Sequence, residues 1–134
     1  LFCVDRHRDS FKELIESDVD ILFANEDEIK AQCESDSFDK TIEYAKSLNM
    51  IVVITRSAEG SVIINNNEVI EINPVQVDRV VDTTGAGDLY AGGFLFGMAK
   101  DKDLVTCGNY ASIAAAEIIS HYGARPLVKL SKLI

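Results

Sequence analysis

The sequence predicts an α/β layer fold with a largely parallel sheet and one short antiparallel hairpin. Three observations predict it. Apolar, β-branched runs alternate with segments of helical periodicity along the chain. Two strand-like runs, 61–65 and 68–72, are separated only by Asn66-Asn67, turn residues that tolerate positive φ. A glycine-containing turn at 85–87 then joins a β-branched stretch, 75–81, to an apolar-periodic helix, 86–99.

In chain order, a short strand at 2–4 precedes a helix over 9–17. A strand at 20–24 leads to a helix over 26–33, and Ser37 caps another helix that runs to 48. The strand 50–55 follows, then the hairpin. In the helix 86–99, residues Ala86, Leu89, Tyr90, Gly93, Phe94 and Gly97 share one face. Each interior glycine costs a helix about 1 kcal/mol relative to alanine, so Gly92, Gly93 and Gly97 predict close helix packing. The helix 104–122 answers with Ala111, Ala114, Ala115, Ile118 and Ile119.

The 134 residues suit one domain with a modest core, and a hydrophobic content of 47% fits a globular chain. No apolar run approaches the roughly 20 residues needed to span a membrane, and no secretory leader is recognisable at the start. A formal charge of −9 argues against nucleic acid as a partner, because phosphate-backbone binding needs a basic surface. Cys3, Cys33 and Cys107 are distant from one another, odd in number and lack metal spacing, which points to a reducing cytoplasm. The cluster Arg6-His7-Arg8 is either a phosphate clamp or a solvated loop.

The segment 82–88, Asp-Thr-Thr-Gly-Ala-Gly-Asp, is the candidate site. Gly85 and Gly87 leave the backbone free to bend and to approach a ligand. The N–H groups opening the following helix lack intrahelical partners and attract negative charge. Asp88 falls in that same first turn. It is either an acid that complements the helix dipole, contributing up to about 1 kcal/mol, or a base for an attacking hydroxyl. A P-loop is excluded because no lysine follows Gly87, and the dinucleotide fingerprint would need glycine where Tyr90 stands.

Asp82 to Asp88, continued by Tyr90-Ala91-Gly92-Gly93-Phe94, resembles the C-terminal signature of the ribokinase-like (PfkB) carbohydrate and nucleoside kinases, in the adenosine kinase and sugar kinase branch. The resemblance implies a layered α/β/α fold. It also implies that Gly85, Ala86 and Gly87 form an anion hole for the phosphoryl group while Asp88 is the catalytic base. Two further segments match in order. Asn25 with Glu28 reads as a helix capping box, and also as the family's Asn-x-x-Glu motif, which helps hold magnesium through water. Thr55 to Gly60 is similar to the family's Thr-x-Gly-x-x-Gly turn beside the ATP phosphates and ribose. Thr55 and Gly60 match it, and Ser57 stands where the pattern has glycine. Ser112 falls where related kinases place a polar residue near the adenine. Asp82, Thr84 and Gly123 match positions that bind a monovalent cation such as K+.

The implied cofactors are thus ATP and Mg2+, with K+ as an addition, and the implied partner is a sugar or nucleoside bearing a hydroxymethyl group. A homodimer is one option for assembly. The resemblance covers only the ATP-binding, C-terminal half of the family's chains. The chain is therefore expected to be a fragment lacking the N-terminal half and lid, beginning at Leu1 within a strand. Two functions follow as expectations: an ATP-dependent phosphotransferase, or a nucleotide- or anion-binding module without catalysis.

Overall fold

A computed structural model describes residues 2–134; Leu1, read above as lying within a strand, lies outside the described residues. The chain opens not with a strand but with a helix, α1 (Phe2–Arg6), followed by α2 (Arg8–Asp18). Three apolar residues do not fix a period. What favours helix is a pair four residues apart, with the Arg6 guanidinium 4.1 Å from the Phe2 ring centroid. The basic cluster is consequently neither a loop nor an open phosphate clamp. Arg8 Nε donates to the Ala31 carbonyl at 2.8 Å, and Arg8 Nη1 meets Glu34 at 3.0 Å.

Strand β1 (Ile21–Asn25) lies parallel to β2 (Ile51–Thr55), in register from Ile21 opposite Ile51 to Asn25 opposite Thr55. Parallel neighbours need a long crossover, here supplied by α3 (Glu26–Gln32) and α4 (Phe38–Ser47). Ser37 occupies the N-cap position of α4 without donating or accepting a side-chain cap bond. Strands β3 (Ser61–Asn65) and β4 (Glu68–Ile72) complete a sheet in the order β1-β2-β3-β4. Residues 56–60 and 66–67 are too few for crossovers, so these two joins turn the chain back on itself. Asn66 takes φ 53°, the conformation its residue type tolerates.

Two compact units divide the chain: residues 2–56 with Val62–Glu71, and Ser57–Ser61 with Ile72–Ile134. The first is centred on Ile29, Ala45, Val52, Ile54, Val62 and Ile64, with Leu22, Phe38 and Ile42 packed against them. Alternation along the strands puts Val53 and Ile63 on the opposite face, and both are fully buried, so β2 and β3 are buried on both faces.

The second unit is built on α5 (Ala86–Met98) and α6 (Leu104–Ile119). A Cβ added at Gly93 would stand 2.8 Å from the Ala111 Cα, and one at Gly97 would stand 2.8 Å from the Cys107 Sγ. These two glycines therefore permit the helix contact. Gly92 does not belong with them, because a Cβ there meets nothing within 4 Å. Asp103 caps α6 by accepting the Thr106 N–H at 2.7 Å. Residues 73–83 have no regular secondary structure despite their β-branched character. Their backbone turns instead to the end of α6, where Val81 N–H donates to the Ile119 carbonyl at 2.8 Å.

Candidate active site

The signature turn is shaped by one residue above all. Gly85 is the N-cap of α5 with φ 81° and ψ 2°, and a Cβ there would press to 3.0 Å from the Ala124 Cβ. Both the left-handed backbone and the neighbour call for glycine. Gly87 differs, since its conformation is ordinary and a Cβ would meet nothing within 4 Å. No contact with a described residue calls for glycine there.

The amides of this turn divide into two groups. Ala86 N–H donates to the Thr83 carbonyl at 3.1 Å, and Thr84 N–H to Asp82 Oδ1 at 2.9 Å, so both are engaged inside the turn. The N–H groups of Gly85, Gly87 and Asp88 have no acceptor among the described residues. They open a helix of 13 residues, whose N-terminus carries partial positive charge. Asp88 is exposed in that first turn and makes no hydrogen bond or ion pair among the described residues.

Asp82 holds the entrance of the turn. Its Oδ1 accepts from the Thr84 hydroxyl at 2.7 Å as well as from the Thr84 N–H, and its Oδ2 accepts from Gly123 N–H at 3.1 Å. The Thr84 hydroxyl, then the Thr84 and Gly123 amides, hold the Asp82 carboxyl below its ordinary range. Asp82, Thr84 and Gly123 are thereby drawn together, with Gly123 at φ 94°. Beyond them, Glu117 accepts the Leu127 N–H at 2.8 Å and faces His121 Nε2 at 3.2 Å.

In the first unit, the register sets Asn25 directly opposite Thr55 at the carboxyl ends of β1 and β2, the end at which open α/β sheets bind ligands. Asn25 Oδ1 accepts the Glu28 N–H at 2.8 Å, and Glu28 Oε2 accepts the Asn25 N–H at 2.9 Å, a reciprocal capping box. Two residues beside them carry no recognisable signal in the sequence. Glu26 binds Lys30 at 2.6 Å and Arg56 Nε at 2.7 Å, and the Arg56 guanidinium lies 3.9 Å from the Phe38 ring centroid. Lys30 first and Arg56 second hold the Glu26 carboxyl below its ordinary range.

The turn that follows Thr55 belongs to the second unit from Ser57 onward. Ser57 opens a single 3₁₀ turn (Ser57–Glu59) at φ 50°, so the backbone here is one that glycine would adopt freely. Gly60 is required: its φ is 83°, and a Cβ would lie 2.1 Å from the Ile72 carbonyl oxygen. Ser112 is buried within α6. Among the described residues no three His, Cys, Asp or Glu side chains group as metal ligands.

The chain matches the model of the pfkB family of carbohydrate kinases over residues 3–130. It belongs to that family. It is similar to the adenosine kinase of Sinorhizobium meliloti, with a TM-score of 0.95 and 42% identity, covering 98% of this chain and 41% of that one. A ribokinase of Arabidopsis thaliana, solved with ribose and ATP, superposes with a TM-score of 0.75 at 28% identity, over 84% of this chain and 38% of that one. A nucleoside kinase of Methanothermobacter thermautotrophicus is 39% identical over 107 residues, which are 79% of this chain and 33% of that protein. The pfkB chain spans about a third of the length of the curated relatives it matches. The ribokinase-like α/β fold expected from the signature is the observed one. No helix among the described residues is long and apolar enough to cross a membrane.

Proposed function

We propose that this pfkB chain is the nucleotide-binding portion of a kinase that moves the γ-phosphoryl group of ATP to a hydroxymethyl group of a sugar or nucleoside. The observation that carries the reading is the start of α5, where the unengaged amides of Gly85, Gly87 and Asp88 adjoin the exposed Asp88 carboxylate. The open space over Gly87 suits close approach by a phosphoryl oxygen.

In this reaction Asp88 takes the proton of the acceptor hydroxyl as its oxygen attacks the γ-phosphorus, and ADP leaves. With residues 85–87 shaping the anion hole, the unengaged amides of Gly85, Gly87 and Asp88 stabilise the charge that gathers on the transferring group, the Ala86 amide being held by the Thr83 carbonyl. Asn25, Thr55, Ser57 and Gly60 are assigned to the nucleotide. Ser112, 7% exposed on α6, is assigned to the border of the adenine pocket.

Glu28 would help to hold Mg2+ through water, one oxygen being committed to its cap. Bound there, the ion supplies charge neutralisation between the phosphates. Asp82, Thr84 and Gly123 would hold a monovalent cation such as K+, a role that suits an all-oxygen site where a carboxylate already gathers two loops. The whole chain serves as one ATP-binding portion. Its three free thiols suit a reducing compartment, and we place it in the cytoplasm.

The unengaged amides at the start of α5 also suit a second reading, a nucleotide- or anion-binding module without turnover. Incubation with Mg-ATP and adenosine, ribose or fructose separates the two. ADP formed together with a phosphorylated acceptor supports the kinase, whereas ATP binding without acceptor-dependent ADP supports the module. In an active protein, Asp88→Asn is expected to lower turnover by about 10²–10⁴-fold while ATP affinity is retained. Undiminished turnover removes Asp88 from the mechanism.

A further inference from the structure

Two hydroxyl groups meet in the interior of the second unit. Tyr90, on α5, is 5% exposed, and its phenol lies 2.5 Å from the hydroxyl of Ser61, itself 1% exposed. Burial drives the phenol toward its neutral form, so it keeps one proton to donate and accepts in return. Phenylalanine would fill this part of the core without needing any partner. Buried polar groups add little net stability over apolar ones, but they impose direction.

That direction concerns the turn before Ser61. Gly60 is held from one side by the Ile72 carbonyl and Pro74, which would stand 2.1 and 3.0 Å from a Cβ. Ser61 is held from the other side by Tyr90. Tyr90 in turn lies two residues beyond Asp88, on the opening turns of α5. One side chain therefore ties the 57–60 turn to the helix whose first turn carries the anion-binding amides.

We infer that Tyr90 is a positioning residue for the nucleotide, its hydroxyl locking the 57–60 turn, through Ser61, to the start of α5. This rests on the proposed ATP-binding role of both segments. Tyr90 touches no nucleotide itself and acts through Ser61. Its loss loosens the grip on ATP, whereas the proton transfer at Asp88 and the acceptor side are left as they were.

The test measures Mg-ATP affinity by calorimetry and, in an active protein, KM for ATP against kcat, for wild type, Tyr90→Phe, Ser61→Ala and the double variant. Loss of one neutral hydrogen bond predicts ATP binding weakened by about fivefold in Tyr90→Phe. KM for ATP should rise in parallel, with kcat and the acceptor KM at saturating ATP unchanged. Ser61→Ala should weaken binding equally, and the double variant no further. ATP affinity within twofold of wild type in Tyr90→Phe overturns the proposal even if thermal stability falls. If that variant fails to fold, unaltered ATP affinity in Ser61→Ala overturns it. A wild-type chain that binds no Mg-ATP removes the nucleotide role of both segments, and the positioning role with it, whereas wild-type binding with indifferent variants removes only the latter.

Discussion

Gly92 and Gly93 are adjacent on α5, yet alanine is expected to stabilise at the first position and to be less favourable at the second. In either place the substitution gains the same intrinsic helix preference, about 1 kcal/mol. At Gly92 nothing lies within 4 Å of the new Cβ, so that gain stands alone. At Gly93 the new Cβ would be 2.8 Å from both the Ala111 Cα and the Tyr110 carbonyl oxygen, and 3.0 Å from the Ala111 N. Carbon contacts settle near 3.5–4.0 Å, so from 2.8 Å α5 and α6 must part by roughly 0.7–1.2 Å. Overpacking of this kind costs about 1–3 kcal/mol. Because the helix preference cancels between the two variants, the difference in their unfolding free energies isolates the overpacking and should be about 1–3 kcal/mol. Urea unfolding followed by circular dichroism measures it. Gly92→Ala should raise the midpoint and Gly93→Ala should lower it relative to Gly92→Ala, with unchanged slopes. Equal shifts in the same direction would show that α5 and α6 do not approach as closely as 93 and 111 require.

Other expectations follow from single contacts. Gly60→Ala combines a left-handed backbone with a Cβ 2.1 Å from a carbonyl oxygen, and should cost about 2 kcal/mol or more in chemical unfolding. An unchanged midpoint would mean that the 57–60 turn is not pinned against Ile72. Asn25→Ala removes the capping box of α3 and should cost about 1 kcal/mol, seen as faster hydrogen exchange in the first turn of α3. The Asp82 carboxyl is held below its ordinary value of 3.8 by the Thr84 hydroxyl and the Thr84 and Gly123 amides. Its folded value is depressed, so its contribution is complete above 3.8 and is lost as pH falls through the lower folded value. The amide resonances of Thr84 and Gly123 should move together with a midpoint below 3.8, and a midpoint at or above it would dissolve the clamp. His121 runs in the opposite sense. Its bond to the Tyr122 carbonyl and then Glu117 raise it above 6.5, so its contribution is complete below 6.5 and fades as pH rises through the folded value, which ring-proton titration would place above 6.5.

Much of the scaffold is legible along the chain because it depends on near neighbours. Asn25 and Glu28 announce a cap three residues apart, and the bonds found are those the spacing implies. Asn66-Asn67 announces a reversal, whereas Gly85 and Gly87 read alike in the sequence and only the fold shows that Gly85 alone of the two is left-handed. Failures occur where a short apolar run decides nothing. Residues 2–4 form helix because of an aromatic–cation pair reaching to Arg6, and the β-branched residues 75–81 form no strand among the described residues. Gly92 and Gly93 look alike in composition, and only the neighbouring helix distinguishes them.

Local order along the chain was enough to establish the pfkB signature, the glycine turn and the acid placed one helical turn inside it. These depend on the conformational freedom of glycine and on the unpaired amides that every helix start must carry. Only the folded chain decided which amides stay unengaged, that Asn25 stands opposite Thr55, that Asp82 reaches Gly123, and that Tyr90 binds Ser61. The last two pairs lie 41 and 29 residues apart. No local pattern encodes such partners, because which groups meet is set by how the elements pack.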